Sequence, residues 1–410
     1  MNYCITAPLH IETTVALPAS KSLSARALVI EALTHKPEPP TGVAVCDDTH
    51  VLIQGLAVTQ GKVDVGLAGT AMRFLAAYHA CQPGHEVTLD GNERMRQRPL
   101  SPLFGALRAL GAYIDCPGLA DKPPLHISGR SLTGGRVALR GDVSSQFVSA
   151  LMMIGPVIGG LEIELQGEVV SAPYIDMTQA IMRHYGIETH WQGSVITVPS
   201  GEYRPASLTI EADWSAASYW LALAALLPAS RIALRGLHRD SWQGDSRMLV
   251  LMQQMGMTTQ WLTDGTLVTD MSRTACCCCS TFADLYGTPD LAPTLIALLC
   301  LLGRPFRLTG LRTLRGKESD RREAMRHELM KLGYVIQLEG DDAVAWHFET
   351  CAAQQEPVID PHGDHRIAMA LALAATRHPG ITIGDAQVVD KSYPAFWQHL
   401  RQAGFSITEG

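Results

Sequence analysis

Several features that indicate function in other protein classes are missing from this sequence. No apolar stretch is long enough to span a bilayer, and the two longest, residues 219–227 and 295–302, are typical of buried helices. Residues 1–12 lack the basic region and apolar core of a secretion signal, so we expect a cytoplasmic protein. The net charge of -7 at pH 7 gives no indication of nucleic-acid binding.

Two nucleotide-binding motifs are also absent. Residues 310–317 resemble a Walker A loop, but the spacing is wrong and Glu318 stands where that loop has the Ser or Thr that holds magnesium. Residues 66–69 do not complete the glycine pattern of a dinucleotide-binding turn. The sequence therefore supports neither a kinase nor a dehydrogenase.

The ten cysteines give little indication of a metal site or of disulfides. Four of them are consecutive, at positions 276–279, and adjacent cysteines are poorly placed to share one tetrahedral ion. Because no secretion signal is recognisable, we expect free thiols in a reducing compartment.

The composition is that of a well-packed globular protein. Apolar residues make up 47% and charged residues 18% of the chain, which argues against disorder. At 410 residues the chain exceeds what one hydrophobic core usually organises, and two domains are expected.

A pattern that recurs six times defines the organisation of the chain. A short polar stretch leads each time into an Ala-, Leu- or Met-rich helix, and the six stretches begin at Ser20, Gly69, Ser144, Asp213, Asp290 and Asp364. A short β-strand follows, the first predicted over residues 42–46, and then an amphipathic helix and a further strand. Each amphipathic helix is predicted to end at a glycine: Gly61, Gly111, Gly186, Gly256, Gly333 and Gly404. The pattern predicts six βαβαββ-like units, three per domain; an ordinary doubly wound α/β protein is the alternative.

Four of the six helix starts carry groups that suit anions, namely Lys21, Ser22 and Arg26; Thr70 and Arg73; Ser144, Ser145 and Gln146; and His365 and Arg366. A helix N-terminus already favours phosphates and carboxylates through its unpaired N–H groups and its dipole. Capping is the alternative explanation for the hydroxyls. It does not explain Lys and Arg, which the helix dipole disfavours at this end.

The turns between strands and second helices add further cations: Arg94, Arg96, Arg98, Arg315, Lys317, Arg321, Arg322 and Lys391. A run of charges is often only a solvated surface. Because these turns lie at equivalent ends of successive units, we expect the cations to converge on one cleft, where arginine forks match carboxylate and phosphate geometry.

Two carboxylates fall within this candidate site. Asp290 begins a predicted helix, and N-capping is its alternative role. Glu318 lies beside Lys317 and near Arg321, and a weak surface ion pair is the alternative there. A role in proton transfer requires each carboxylate to reach a substrate.

Taken together, these motifs resemble those of the EPSP synthases, the enolpyruvyl transferases of the shikimate pathway. The most specific segments are Gly69-Thr-Ala-Met-Arg73, Arg98-Pro99, Gly141-Asp-Val-Ser-Ser-Gln146, Lys317-Glu-Ser-Asp-Arg321 and Asp364-His-Arg366. They occur in order, and the resemblance covers nearly the whole chain.

The resemblance implies an α/β protein with the two-domain enolpyruvyl-transferase fold, in which each domain is an inside-out barrel of three βαβαββ units. One domain would comprise residues 1–20 and 213–410 and the other residues 21–212, with the active site in the cleft between them. The reaction would transfer the enolpyruvyl group of phosphoenolpyruvate to the 5-hydroxyl of shikimate 3-phosphate and release phosphate. No metal or cofactor, and no nucleic-acid or membrane partner, is expected, and the protein is expected to be a monomer.

The resemblance also assigns roles to individual residues. Proton transfer would involve Lys21, Asp290 and Glu318. Shikimate 3-phosphate would contact Ser22, Arg26, Ser144, Ser145, Gln146, Ser171, Tyr174, Asp290, Thr313 and Lys317. Phosphoenolpyruvate would contact Lys21, Gly69, Arg98, Gln146, Arg321, Arg366 and Lys391.

Four positions depart from the family pattern. Ala19 replaces a usual Gly, Leu67 a usual Asn, Phe74 a common Pro and Thr313 an Asn. Leu67 and Phe74 would reshape the loop assigned to phosphoenolpyruvate. Two alternatives remain: a UDP-N-acetylglucosamine enolpyruvyl transferase, disfavoured by Lys21-Ser22 and by the strand context of Cys116, and a non-catalytic anion-binding relative.

Overall fold

The computed structural model of the chain describes residues 1–98, 100–119, 121–142, 144–227, 229–270 and 280–410. The cysteine run at 276–279, for which free thiols are predicted, and Pro99 of the Arg98-Pro99 motif lie outside the described residues. No described helix has both the length and the apolar character needed to cross a membrane.

The thirteen helices among the described residues are α1 (Lys21–Ala32), α2 (Asp47–Ala57), α3 (Gly69–Ala80), α4 (Glu93–Gln97), α5 (Ser101–Ala109), α6 (Ser145–Ile154), α7 (Ala172–His184), α8 (Trp214–Leu226), α9 (Arg247–Gln254), α10 (Ala292–Leu301), α11 (Arg321–Lys331), α12 (His365–Ala372) and α13 (Phe396–Gln402). The strands are β1 (Tyr3–Thr6), β2 (Glu12–Ala16), β3 (Gln60–Asp64), β4 (Glu86–Asp90), β5 (Tyr113–Asp115), β6 (Leu125–Ser128), β7 (Gly135–Arg140), β8 (Leu161–Gln166), β9 (His190–Gln192), β10 (Val195–Val198), β11 (Arg231–Arg235), β12 (Thr258–Trp261), β13 (Leu267–Asp270), β14 (Thr281–Asp284), β15 (Phe306–Thr309), β16 (Gln337–Glu339), β17 (Ala343–Trp346), β18 (Val358–Ile359), β19 (Ile381–Ile383) and β20 (Ser406–Glu409).

The chain divides into two compact units. Unit 1 comprises Met1–Ala19 and Glu211–Gly410, and unit 2 comprises Ser20–Ile210. The described residues of unit 1 form three four-stranded sheets, in the orders β18-β19-β1-β20, β12-β13-β11-β2 and β14-β15-β17-β16. Those of unit 2 form two, in the orders β7-β8-β10-β9 and β3-β4-β6-β5.

All five sheets share one plan, in which a parallel pair is extended by two antiparallel pairs. In unit 2, for example, β3 pairs in parallel with β4, and β4–β6 and β6–β5 pair antiparallel. The same order of pairings holds for β14, β15, β17 and β16 in unit 1. The repeated unit predicted from the sequence is therefore present in five copies with a complete sheet.

The first predicted copy differs from the other five. Residues 42–46 do not form the predicted strand; the described residues there contribute only a parallel bridge between Thr41 and Thr209. Pro37, Pro39 and Pro40 precede this segment, and proline cannot donate to a strand ladder.

The predicted helix end at Gly61 is also wrong. Helix α2 ends at Ala57 and is followed by an extended residue, Val58, while Gly61 lies inside β3 opposite Val87. The β-branched residues Val58 and Thr59 favour this earlier change to extended backbone. The other five glycines follow their helices in the left-handed conformation, as Gly333 does with a φ of 96°, and that part of the prediction is confirmed.

One buried helix from each repeat occupies the centre of each unit. In unit 1, α10 is buried along its whole length and packs against α8 and α12. In unit 2, α1, α3 and α6 contact one another in the same way. A helix that is apolar all round must be surrounded by protein, which explains why these segments are rich in Ala and Leu rather than amphipathic. Sheets outside and helices inside form the fold predicted from the sequence.

The N-terminal ends of these central helices meet within each unit. In unit 1, Arg366 at the start of α12 donates to Ser215 at the start of α8. In unit 2, Gln146 at the start of α6 donates to Thr70 at the start of α3. Each unit therefore gathers helix N-termini, with their unpaired N–H groups, at one place.

Candidate active site

A buried arginine links three carboxylates at the gathered helix ends of unit 1. Arg321, the first residue of α11, is 2% exposed. Its Nε donates to Asp364 Oδ2 at 2.7 Å, its Nη1 to Asp290 Oδ1 at 2.9 Å and its Nη2 to Glu318 Oε2 at 3.0 Å. Burial alone would lower the pKa of Arg321, but the three negative charges outweigh burial and raise it above the ordinary value.

Asp290 is the most heavily paired of these carboxylates. Its Oδ1 lies 3.2 Å from Lys317 Nζ as well as 2.9 Å from Arg321, and its Oδ2 lies 3.2 Å from Arg366 Nη2. Burial opposes the ionisation of Asp290, but the charges of Arg366, Lys317 and Arg321 overcome that effect and hold its pKa well below the usual value.

The alternative role of Asp290 as an N-cap is wrong. Asp290 lies within a 3₁₀ turn, Pro289–Leu291, and α10 begins only at Ala292 without a side-chain cap. A cap at Asp290 would need an N–H two or three residues further along the chain, and Pro293 at the start of α10 has none. The carboxylate is therefore available to the surrounding cations.

Glu318 shares Nη2 of Arg321 with Asp364, which accepts from that nitrogen at 3.3 Å. The side chain of Glu318 is 11% exposed, and its Oε1 lies 3.7 Å from Lys391 Nζ. This burial excludes the alternative of a weakly interacting surface pair. The turn that carries Glu318 also contains Thr313, whose buried hydroxyl has no hydrogen-bond partner among the residues described.

Six predicted residues of unit 1 therefore form one continuous set of ion pairs: Asp290, Lys317, Glu318, Arg321, Arg366 and Lys391. We call this set the unit 1 network. Two nearby cations predicted to converge with it do not. Arg315 pairs with Asp341 at the surface, and both side chains are more than half exposed. Arg322 is buried and donates to the carbonyl of Gly340.

In unit 2, Gly69 allows a buried arginine to approach the start of α3. A Cβ atom at Gly69 would lie 2.6 Å from Arg98 Nη1 and 2.8 Å from Arg73 Nη1. Arg98 is 8% exposed, and within the described ranges its Nε and Nη1 have no hydrogen-bond partner. The buried Oε1 of Gln146 is likewise without one.

We call Gly69, Arg98 and Gln146 the unit 2 cradle. Buried donors without acceptors are rare because each costs desolvation free energy. A helix N-terminus with such donors is suited to bind an anion. Arg96, from the same basic run as Arg98, is half exposed and pairs with Asp90; it lies outside the cradle.

Lys21 is the first residue of α1, and its Nζ donates to Asp48 Oδ2 at 2.8 Å. Asp48 is buried and belongs to α2, so the pair joins the first two helices of unit 2. Asp48 is not among the residues predicted from the sequence. An acidic first turn in the segment Cys46-Asp-Asp48 was the available signal, but N-terminal acidic residues are common in helices.

Arg26 is enclosed by the packing of α1, α6 and α7. It donates to Thr178 Oγ1 at 2.8 Å, Ser149 Oγ at 3.1 Å and the carbonyls of Ser22 and Tyr174 at 3.0 and 3.2 Å. Burial lowers the pKa of Arg26 to about 10. Its guanidinium also lies 5.6 Å from the ring centre of Phe74, so one departure from the family pattern packs directly against a predicted substrate ligand.

The remaining predicted hydroxyls lie at the starts of two helices. Ser144 caps α6 by accepting from the N–H of Gln146, and Ser145 is the first residue of that helix. Ser171 precedes α7 in the left-handed conformation, with a φ of 57°, and Tyr174 follows one turn later. A left-handed serine is strained, and such strain is concentrated at functional sites.

Comparisons with known proteins show the family to which this chain belongs. The family model described as EPSP synthase (3-phosphoshikimate 1-carboxyvinyltransferase) matches residues 50–400. A protein of Bacteroides fragilis (strain ATCC 25285) named 3-phosphoshikimate 1-carboxyvinyltransferase is 45% identical over 412 residues, which cover 100% of both chains. A protein of the same name from Syntrophobacter fumaroxidans is 37% identical over 415 residues, 95% of this chain and 96% of its own. A solved EPSP synthase from Acinetobacter baumannii shares the fold, with a TM-score of 0.78 at 20% identity over the whole of both chains.

Proposed function

Because this chain belongs to the EPSP synthase family, it is a 3-phosphoshikimate 1-carboxyvinyltransferase, and we propose that the unit 1 network and the unit 2 cradle together perform its chemistry. The substrates of this reaction are shikimate 3-phosphate and phosphoenolpyruvate. The single observation that carries the assignment of residues is the unit 1 network, in which four cations and two carboxylates meet at gathered helix N-termini.

Phosphoenolpyruvate binds to cations from both units in this proposal. Arg321, Arg366 and Lys391 are its ligands in unit 1, and Lys21 and the unit 2 cradle are its ligands in unit 2. The carboxylate and the phosphate of this substrate supply the negative charges that these cations neutralise.

Asp290 accepts the proton of the 5-hydroxyl of shikimate 3-phosphate. At the same time the hydroxyl oxygen forms a bond to the central carbon of phosphoenolpyruvate. Without substrate, the pKa of Asp290 is held low by the neighbouring cations, and the carboxylate is a weak base. The carboxylate and phosphate of phosphoenolpyruvate compete for Arg321 and Arg366, and that competition raises the proton affinity of Asp290. The base becomes effective only when the second substrate is bound.

Glu318 and Lys21 handle the proton at the methylene carbon. This carbon gains a proton as the tetrahedral intermediate forms and loses one when the bond to phosphate breaks. Glu318 lies in hydrogen-bond contact with Arg321 and near Lys391, so it acts beside the groups assigned to phosphoenolpyruvate. The cations stabilise the charge on the departing phosphate.

Shikimate 3-phosphate is bound mainly by hydroxyl groups of unit 2. Ser22, Ser144, Ser145, Ser171 and Tyr174 supply hydrogen bonds. Gln146 of the cradle and Arg26 complete this side, and Thr313, Lys317 and Asp290 contact the substrate from unit 1. The enclosed position of Arg26 supports a second role, in which it fixes the backbone of Ser22 and Tyr174.

The protein acts as a cytoplasmic monomer in this proposal, without a metal ion or organic cofactor. Every step described above uses groups of the chain and of the two substrates. Size-exclusion chromatography with light scattering tests the oligomeric state, and a mass near twice the 44.4 kDa of one chain would contradict it.

Phosphate release from the purified protein tests the function, with each substrate omitted in turn. Release that requires both shikimate 3-phosphate and phosphoenolpyruvate is the expected result. Release with UDP-N-acetylglucosamine in place of shikimate 3-phosphate would instead indicate the related enolpyruvyl transferase. Binding of shikimate 3-phosphate without any release would indicate a non-catalytic relative.

A further inference from the structure

Two polar residues beside Arg366 have no role in the proposal above. Ser215 lies in the first turn of α8, and its hydroxyl accepts a hydrogen bond from Arg366 Nη2 at 3.2 Å. The same hydroxyl donates to Asp245 Oδ2. Asp245 belongs to a short 3₁₀ turn, Gly244–Ser246, that packs against the start of α8. A chain of hydrogen bonds therefore runs from Asp245 through Ser215 to Arg366.

The fold of this region does not require the Asp245 carboxylate. Asp213 already caps α8, since its Oδ1 accepts from the N–H groups of Ser215 and Ala216. Gln243 ties the following turn to α8 by accepting from the N–H of Trp214 and donating to the carbonyl of Ala212. Asp213 and Gln243 thus supply the hydrogen bonds that the start of α8 and the neighbouring turn require.

Keeping a carboxylate at this position is energetically unfavourable. Asp245 is 4% exposed, and its Oδ1 has no hydrogen-bond partner in the described part of the chain. An incompletely satisfied buried carboxylate costs stability, and an apolar residue would avoid that cost. A buried carboxylate that is unfavourable for stability is expected where its charge serves function rather than folding.

We propose that Ser215 and Asp245 form a positioning pair that holds the Arg366 guanidinium in the orientation that binds the carboxylate of phosphoenolpyruvate. This inference rests on the proposed assignment of Arg366 to that substrate. Arg366 Nη2 is shared between Asp290 and Ser215, each at 3.2 Å. When the substrate competes with Asp290 for the guanidinium, Ser215 remains as the contact that fixes its position.

The ionised form of Asp245 is the form that supports this geometry. A carboxylate accepts the Ser215 hydrogen and leaves a lone pair of the hydroxyl directed to Arg366. Asp245 faces Ser215 and Asp213 from α8, Arg366 from α12 and Asp290 from the turn before α10. Burial raises the pKa of Asp245 to about 6 despite the charge of Arg366. Protonation below that pH removes the negative charge and so weakens the hydrogen bond that Asp245 accepts from Ser215. The support for Arg366 therefore weakens as the pH falls.

Steady-state kinetics of Ser215→Ala and Asp245→Asn test the proposal. Each variant is expected to raise the KM for phosphoenolpyruvate about tenfold, the effect of one hydrogen bond to a charged group. The KM for shikimate 3-phosphate stays within twofold. The double variant is no worse than the more impaired single variant, because the two residues act in series. Ser215→Thr, which keeps the hydroxyl, is expected to retain the wild-type KM for phosphoenolpyruvate. If Asp245→Asn does not fold, the comparison of Ser215→Ala with Ser215→Thr tests the proposal.

A matched control and a pH series separate positioning from structural damage. Ser230→Ala removes another buried hydroxyl of unit 1, one that accepts from the N–H of Ile11, and is expected to change neither KM. The KM of the wild type for phosphoenolpyruvate rises below pH 6 more steeply than that of Asp245→Asn. Parallel pH profiles, equal changes in both KM values, or unchanged KM values would overturn the proposal. Absence of turnover in the wild type would instead refute the proposed function itself.

Discussion

The principal arginines of the two units lie in different electrostatic surroundings. In unit 1, Arg321 contacts the carboxylates of Asp364, Asp290 and Glu318, so its charge is fully compensated without substrate. In unit 2, Arg98 lies beside Gly69 with two nitrogen atoms that have no hydrogen-bond partner among the residues described. One arginine is stabilised by the protein itself, and the other is a donor that an anion would satisfy.

This difference indicates that the unit 1 network and the unit 2 cradle have different roles. A compensated network resists deformation and links proton transfer to substrate binding, because an anion must first compete with the internal carboxylates. An uncompensated buried arginine costs stability but provides binding free energy directly. The network is therefore expected to control the chemical step, and the cradle is expected to control affinity.

The largest effect is expected for removal of the base in the network. Asp290→Asn keeps the shape of the side chain but eliminates its basicity, and turnover should fall about a thousandfold. Measurement of kcat by phosphate release checks this, with Asp341→Asn, a surface acid of the same unit, as the control. A loss of less than tenfold in a folded variant would remove Asp290 from the mechanism.

The next effect concerns stability and sharpens the contrast between the two arginines. Arg321→Met removes the arginine that pairs with the fully buried Asp364, and the loss of stability should be about 3 kcal/mol. Arg98→Met replaces a buried donor that has unsatisfied N–H groups, and we expect no loss of stability from it. Urea denaturation of both variants gives the comparison, and equal destabilisation would show that Arg98 is also compensated.

A smaller effect is expected from filling the space at Gly69. The Cβ of Gly69→Ala would lie 2.6 Å from Arg98 Nη1, so the end of that side chain must move. The KM for phosphoenolpyruvate should rise about tenfold while the melting temperature changes little. Gly105→Ala in α5 is a matched control because its Cβ would meet no atom within 4 Å. An unchanged KM would place phosphoenolpyruvate away from the cradle.

The smallest effect is expected outside both sites. Arg96 is half exposed and pairs with Asp90 at 2.7 Å. Loss of such a surface pair costs little stability, and Arg96→Ala should leave both KM values within twofold of the wild type. A large change in either KM would mean that the whole basic run, rather than Arg98 alone, binds substrate.

The repeated architecture could be predicted because each copy carries its own local signals. A buried helix, a short strand and a glycine after the second helix recur with little variation, and the resulting sheets follow one plan. The prediction failed at residues 42–46 and at Gly61, in the copy where several prolines interrupt the pattern. This copy has the same local sequence signals, but residues 42–46 do not pair as a strand, and the signals therefore predicted the wrong local structure.

Residues of the candidate site could be predicted where charge conflicted with the helix dipole. Lys21 and Arg366 were recognised in this way, and the motifs then indicated Asp290 and Glu318. The partners Asp48, Ser215 and Asp245 were missed because acids and hydroxyls near helix starts are ordinary capping residues. The charge pattern alone did not separate Arg98 from Arg96, because only packing determines which of two neighbouring arginines is buried. The Arg98-Pro99 motif made that distinction through the family resemblance.

Enolpyruvyl transfer from phosphoenolpyruvate to shikimate 3-phosphate can be followed by phosphorus NMR of a reaction mixture. Phosphoenolpyruvate, the 3-phosphate group and free phosphate give separate signals. We expect phosphoenolpyruvate to disappear and phosphate to appear in equal amounts, only when shikimate 3-phosphate is present, while the 3-phosphate group is retained in the product. Phosphate formed without shikimate 3-phosphate, or by loss of its 3-phosphate group, would show that the chain does not catalyse this transfer.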